Sequence, residues 1–90
     1  ETKEIERGYF CMNLAVAGVL LVDEAIDASK GNWPVKFNAA LDGLSVAEKM
    51  GTQIDWATTL TISRNHKLIA SLGIMAGLNE LQVDALFTAP

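Results

Sequence analysis

Apolar residues dominate the first third of the chain. Between Lys3 and Ser29 there is no proline, and Ile5, Tyr9, Met12, Val16, Val19 and Ile26 recur at three- and four-residue steps. That is the period of a helix, and it predicts one long helix over residues 3–29. Its centre, Tyr9 to Val22, is apolar on almost every side, and a helix apolar all round is buried all round. At about 1.5 Å per residue it would run ~40 Å, whereas a compact chain of this length has a radius of gyration near ~12 Å. Either the helix bends at Gly18, or it outruns the cover of its own chain and meets a partner.

The pattern then breaks at Gly31-Asn32-Trp33-Pro34, a turn in which Gly31 suits a helix end and Pro34 a first helical turn. Phe37, Ala40, Leu41, Leu44 and Ala47 make a second stripe, predicting a helix over 34–50. Ser45-Val46-Ala47-Glu48 has the form of a capping box, so this helix can break and restart there. Residues 53–63 read two ways. Ile54, Trp56, Thr58, Leu60 and Ile62 alternate with smaller or polar residues, as a strand would. A helix over the same residues puts Ile54 and Ala57 in line with Leu68, Leu72 and Met75. No other segment offers a convincing partner strand, and the helix is favoured. A helix over 65–76 ending at Gly77 follows. Asn79 then caps a short helix over 80–87, with Leu81, Ala85 and Leu86 expected to face inward. The fold expected is all-α: one domain over 1–90, a four- or five-helix bundle around the long apolar N-terminal helix. The alternative is an α+β fold with 53–63 as a strand.

Composition narrows the function. The chain has 90 residues, half of them hydrophobic, and a chain so short is marginal on its own. One cysteine, Cys11, and one histidine, His66, can make neither an internal disulfide nor a four-ligand zinc site. Oligomerisation remains, and a dimer through helix 3–29 is expected. Seven Lys and Arg, scattered against eleven Asp and Glu, argue against nucleic acid, which wants a basic stripe. The apolar run Tyr9 to Val22 is too short to span a membrane and is closed by Arg7 and Asp23. It follows three glutamates rather than a basic segment, unlike a secretory signal, and the lone thiol fits a cytoplasmic protein.

Candidate chemistry is sparse. Asp23, Glu24 and Asp27 gather toward the end of the first predicted helix, where the helix dipole favours cations, and they suggest a surface for a cation or a basic partner. Glu1-x-x-Glu4 with Glu24-x-x-Asp27 resembles the two acidic pairs that hold magnesium in all-α nucleotide pyrophosphohydrolases. The resemblance covers four residues and implies a magnesium-dependent hydrolase. On one continuous helix, however, Glu4 and Glu24 would stand ~30 Å apart and meet only across an antiparallel dimer. Cys11 sits among Phe10, Met12 and Leu14 and reads as a buried, inert thiol. His66 has no acid near it in sequence, and Arg64, His66 and Lys67 form a candidate anion site at a helix start. Asn13, inside the apolar helix, must be paired, either with its symmetry mate, fixing the register of a dimer, or with a backbone carbonyl of its own chain. Leu68 to Leu81 faintly suggests a helix-turn-helix, but its second helix carries Glu80 and Asp84 and no base.

The expectation is therefore a small non-catalytic interaction, regulatory or accessory protein without cofactor or metal. It self-associates through Tyr9, Met12, Asn13, Val16, Val19 and Leu20 and docks an unknown protein partner. Two alternatives are the pyrophosphohydrolase and a binder of small apolar ligands, with a pocket among Phe10, Phe37, Trp56 and Met75.

Overall fold

A computed structural model describes residues 3–88. In chain order it runs β1 (Glu4–Glu6), α1 (Arg7–Val16), α2 (Val22–Ser29), a 3₁₀ helix (Val35–Leu41), α3 (Val46–Thr58), β2 (Thr61–Ser63), α4 (Lys67–Ala76) and α5 (Glu80–Ala85). The fold is mainly helical, with a two-stranded antiparallel sheet.

The long N-terminal helix does not form. Gly18 takes φ +80°, and two bonds close the end of α1 behind it. The Gly18 N–H donates to the Ala15 carbonyl at 3.1 Å and the Val19 N–H to the Leu14 carbonyl at 2.9 Å. This is the paired bond pattern that ends helices at a left-handed glycine, with Leu14 and Val19 supplying its apolar contact. The chain then folds back. The Arg7 Nε donates to the Ser29 carbonyl at 3.3 Å, so the start of α1 meets the end of α2 and the two helices form an antiparallel hairpin.

The N-terminal residues supply the strand partner not found in the sequence. Ile5 pairs with Ile62, flanked by Glu4 with Ser63 and Glu6 with Thr61. Both isoleucines are buried and their strand neighbours turn outward or lie half-covered, the period of two expected of a half-buried ribbon. Residues 53–63 are thus divided: helix as far as Thr58, strand from Thr61.

The second predicted helix splits where its capping box stands. A 3₁₀ helix ends at Leu41. Ser45 then opens α3, its hydroxyl accepting from the Glu48 N–H at 3.2 Å while Glu48 accepts from the Ser45 N–H at 3.2 Å. The helix α4 ends at Gly77, and Asn79 caps α5, as the sequence indicates. Leu86 is buried as expected, but Leu81 and Ala85 face outward, and Val83 and Phe87 are buried in their place.

The core centres on rings. Trp56 packs edge-on against Phe37 at 5.4 Å, Phe10 at 6.2 Å and Trp33 at 6.3 Å, and Phe10 meets Phe87 at 5.3 Å. Edge-to-face pairs of this kind add ~0.5–1.5 kcal/mol each beyond their burial. Phe10, Phe37 and Trp56 fill the space between the layers, so the ligand pocket expected among them is the packed core itself. Met75 is half-buried at its border.

Candidate functional site

Splitting the N-terminal helix turns its apolar residues into two faces. Phe10, Cys11, Leu14, Ala25 and Ala28 point into the core. Turned away from it, Gly8, Met12, Ala15 and Val16 of α1 and Val22, Ala25, Ile26 and Ser29 of α2 line an open groove of about 450 Å³. The small residues form its floor. Its walls are Met12, Val16, Val22 and Ile26, which are 42%, 83%, 71% and 51% exposed. Tyr9 lies half-exposed beside it. Scattered exposed apolar side chains are ordinary, but a contiguous set lining a groove marks a contact surface.

The structure brings together only part of the interface read from sequence. Tyr9, Met12 and Val16 share the exposed side of α1. Leu20 is 3% exposed and belongs to the chain's own core, and Val19 is half-buried against it. Asn13 is used internally: its Nδ2 donates to the carbonyls of Leu86 at 2.8 Å and Thr88 at 3.0 Å. Of the two partners open to it, the backbone carbonyl is the one observed.

The acidic trio also divides. Glu24 accepts from the Leu21 N–H at 2.8 Å and pairs with Lys36 at 2.9 Å. Its carboxyl is held below its ordinary value of 4.5, first by that backbone bond and then by Lys36. Asp23 and Asp27, one turn apart on exposed α2, are in no ion pair among the described residues. They fall in the first turn and the later part of a separate short helix, so Asp23 now favours its dipole. The resemblance to the pyrophosphohydrolase pairs finds no counterpart here. Glu1 lies outside the described residues, Glu4 is on β1 rather than a helix, and among the described residues no three metal-ligating side chains gather.

The candidate anion site is dispersed in the same way. Arg64 donates to Asp84 at 2.7 Å, fastening β2's end to α5. His66 caps α4, its Nδ1 accepting from the Leu68 N–H at 3.1 Å. Its Nε2 stands 3.7 Å from Asp55 Oδ2, an acid supplied by α3 that no local sequence reading reveals. That separation is too long for a hydrogen bond. With Nδ1 accepting, the neutral ring carries its proton on Nε2. In that tautomer the Nε2 side of the ring is a hydrogen-bond donor facing Asp55. Lys67 lies near Glu48 and contributes to lowering that carboxyl below 4.5, after the bonds from Ser45. Cys11 is buried, and burial pushes its thiol up to about 12.

Sequence reasoning missed Arg7, which is 7% exposed. Its guanidinium donates to the carbonyls of Ser29, Trp56 and Thr59, capping the C-terminal ends of α2 and α3 at once. The dipoles of both helices favour a cation there. A base opening an apolar helix was the only signal, and the carbonyls it meets lie far off in sequence. The helix α3 buries only Trp56 and turns Val46, Met50 and Ile54 outward.

Compared with known proteins, the chain matches no family model, no curated protein and no solved structure. Among the described residues no helix is long and apolar enough to cross a membrane.

Proposed function

We propose that this is a small non-catalytic interaction or accessory protein that works through the apolar face of the α1–α2 hairpin. The observation that carries the reading is the groove between Met12, Val16, Val22 and Ile26, open on a helix pair whose opposite side already supplies the core. The lone cysteine and the lone histidine both have structural roles: Cys11 is buried with its thiol pushed up to about 12, and His66 caps a helix. The apolar residues that suggest a dimer in the sequence form this face, which is able to take a second copy of the chain or another protein. The lone buried thiol supports a cytoplasmic setting.

The test compares the wild-type chain with Val16→Asn/Ile26→Asn by light scattering and by co-purification from its source. Both positions are exposed, so the variant is expected to melt within a few degrees of wild type. Wild type is expected in a complex that the variant does not form: either a dimer near twice 9.7 kDa or an assembly with another protein. Identical masses and identical partners for both chains would defeat the reading.

A further inference from the structure

We propose that the α1–α2 groove receives an amphipathic helix of another protein, apolar on the buried side and lined with lysine or arginine along its edges. The inference rests on the hairpin being the docking face and names what docks there.

Charge is the first argument. Residues 4–29 hold five acids, Glu4, Glu6, Asp23, Glu24 and Asp27, against one base, Arg7. Arg7 is buried on backbone carbonyls, and no acid pairs with it among the described residues. Residues 30–90 hold five bases and five acids. The whole formal charge of -4 therefore falls within β1 and the hairpin. Among the described residues Glu24 alone of these acids is in an ion pair, with Lys36. Asp23 and Asp27 are exposed on α2, each next in sequence to a residue of the groove's wall, Val22 and Ile26.

Shape is the second. The groove runs from Gly8 and Ser29 to Val16 and Val22, about 12 Å along α1. That is the reach of two helical turns, whose side chains at i, i+3 or i+4, and i+7 would fall between the walls. Its lining is apolar apart from Ser29, which suits aliphatic anchors and gives no polar group to pair.

The same charge disfavours the other occupants. A two-fold contact sets each patch against its own copy. A second chain would bring another acidic hairpin, of the same net charge, against the first, with Lys30 as the nearby base on α2's end. An anionic lipid surface would meet the same repulsion. A basic helix gains from both the wall and the acids.

The probe is a labelled helical peptide of about 14 residues, leucine on one face and lysine on the other, followed by fluorescence anisotropy against the full chain. Four chains are compared: wild type, Asp23→Asn/Asp27→Asn, Val16→Asn/Ile26→Asn, and Asp42→Asn/Glu80→Gln, which changes charge equally but outside the hairpin. Far-ultraviolet circular dichroism confirms that each is folded. Wild type is expected to bind at low salt and to weaken as salt screens the acids. Asp23→Asn/Asp27→Asn should weaken binding by about tenfold and the distant pair by less than about twofold, with Val16→Asn/Ile26→Asn abolishing it. A leucine–glutamate peptide should not bind. If the two acid pairs weaken binding equally, the basic partner is overturned while the docking face stands, provided Val16→Asn/Ile26→Asn still loses binding. If that variant binds like wild type, the hairpin reading falls as well. A stable dimer whose mass the peptide leaves unchanged would put a second copy in the groove and overturn the proposal. No binding by wild type at any salt would overturn it too.

Discussion

Two residues of α1 set its terms in opposite ways. Arg7 is a buried charge that has no carboxylate partner among the described residues, stabilised by three carbonyls at two helix ends. Removing it leaves those carbonyls under-paired in a site closed by Gly31, whose position would bring a side chain within 3.2 Å of the Ala57 carbonyl and 3.5 Å of the guanidinium. Arg7→Met should therefore lower stability by about 2–4 kcal/mol in urea unfolding, and Arg7→Lys should recover only part of it because an ammonium cannot reach three acceptors from one plane. A midpoint unchanged by Arg7→Met would show that water already serves those carbonyls. Cys11 is the converse, a potential charge that the fold keeps neutral. Its thiol is raised from 9.0 to about 12, so between those values the unfolded chain has lost the proton and the folded chain retains it. Stability then falls as pH rises from 9.0 toward about 12, by at most ~1.4 kcal/mol per pH unit. Cys11→Ser should flatten that fall. The thiol should resist alkylation at pH 8 until the chain is unfolded, and rapid labelling of the native protein would contradict its burial.

At the scale of elements, the capped helix ends were legible, while the break after Val16 and the strand partners were not. Ser45, Asn79 and Gly77 announce their helix ends because caps are local chemistry: a side chain and a backbone group within three residues of each other. Gly18 announced a bend, but the apolar residues on either side favoured continuation. What decides for a full break is the pair of bonds to Ala15 and Leu14 together with the gain from packing α2 against α1. Gly18→Ala should accordingly cost ~1–2 kcal/mol, since φ +80° strains any side chain there although space is free. Gly8→Ala, in α1 with free space and ordinary φ, should be neutral or stabilising by a few tenths of a kcal/mol. A chemical denaturation series separates the two, and equal effects would mean that the loop relaxes around position 18. The strand pair was illegible for a different reason. Residues 4–6 are only three long, and their alternation is lost in the helical stripe that follows; only the long-range match of Ile5 to Ile62 reveals them. The groove was half-legible. Met12, Val16 and Ile26 were visible as an apolar stripe, but which face was core and which was surface depended on the fold-back that sequence left open.

Across the whole molecule, α1 is the element that the rest of the chain is tied to. Its first residue holds the ends of α2 and α3, its middle holds the C-terminal segment through Asn13, and Phe10 carries Phe87 between them. In a chain this small, where burial alone leaves little margin, polar tethers of this kind decide which segments open together. The Asn13 amide spans residues 86 and 88, beyond the end of α5, where backbone carbonyls have no helical partner. Arg64 meanwhile fixes α5 itself through Asp84. The two tethers act on successive segments, so cutting one should free only what lies beyond the other. Asn13→Ala should cost about 1–2 kcal/mol locally and, by hydrogen exchange, lower protection at residues 86–88 while α4 and the β1–β2 pair keep theirs. The alternative result is equally informative. If protection falls throughout, Leu86 and Phe87 are integral to the one cooperative core, and the C-terminal segment is as much a part of its foundation as α1. In that case the docking face on the other side of α1 would be held rigid by every contact the helix makes. If the loss is local, the groove sits on a hairpin whose stability is independent of the chain's end, and binding there should leave residues 86–88 unprotected to the same degree as in the free protein.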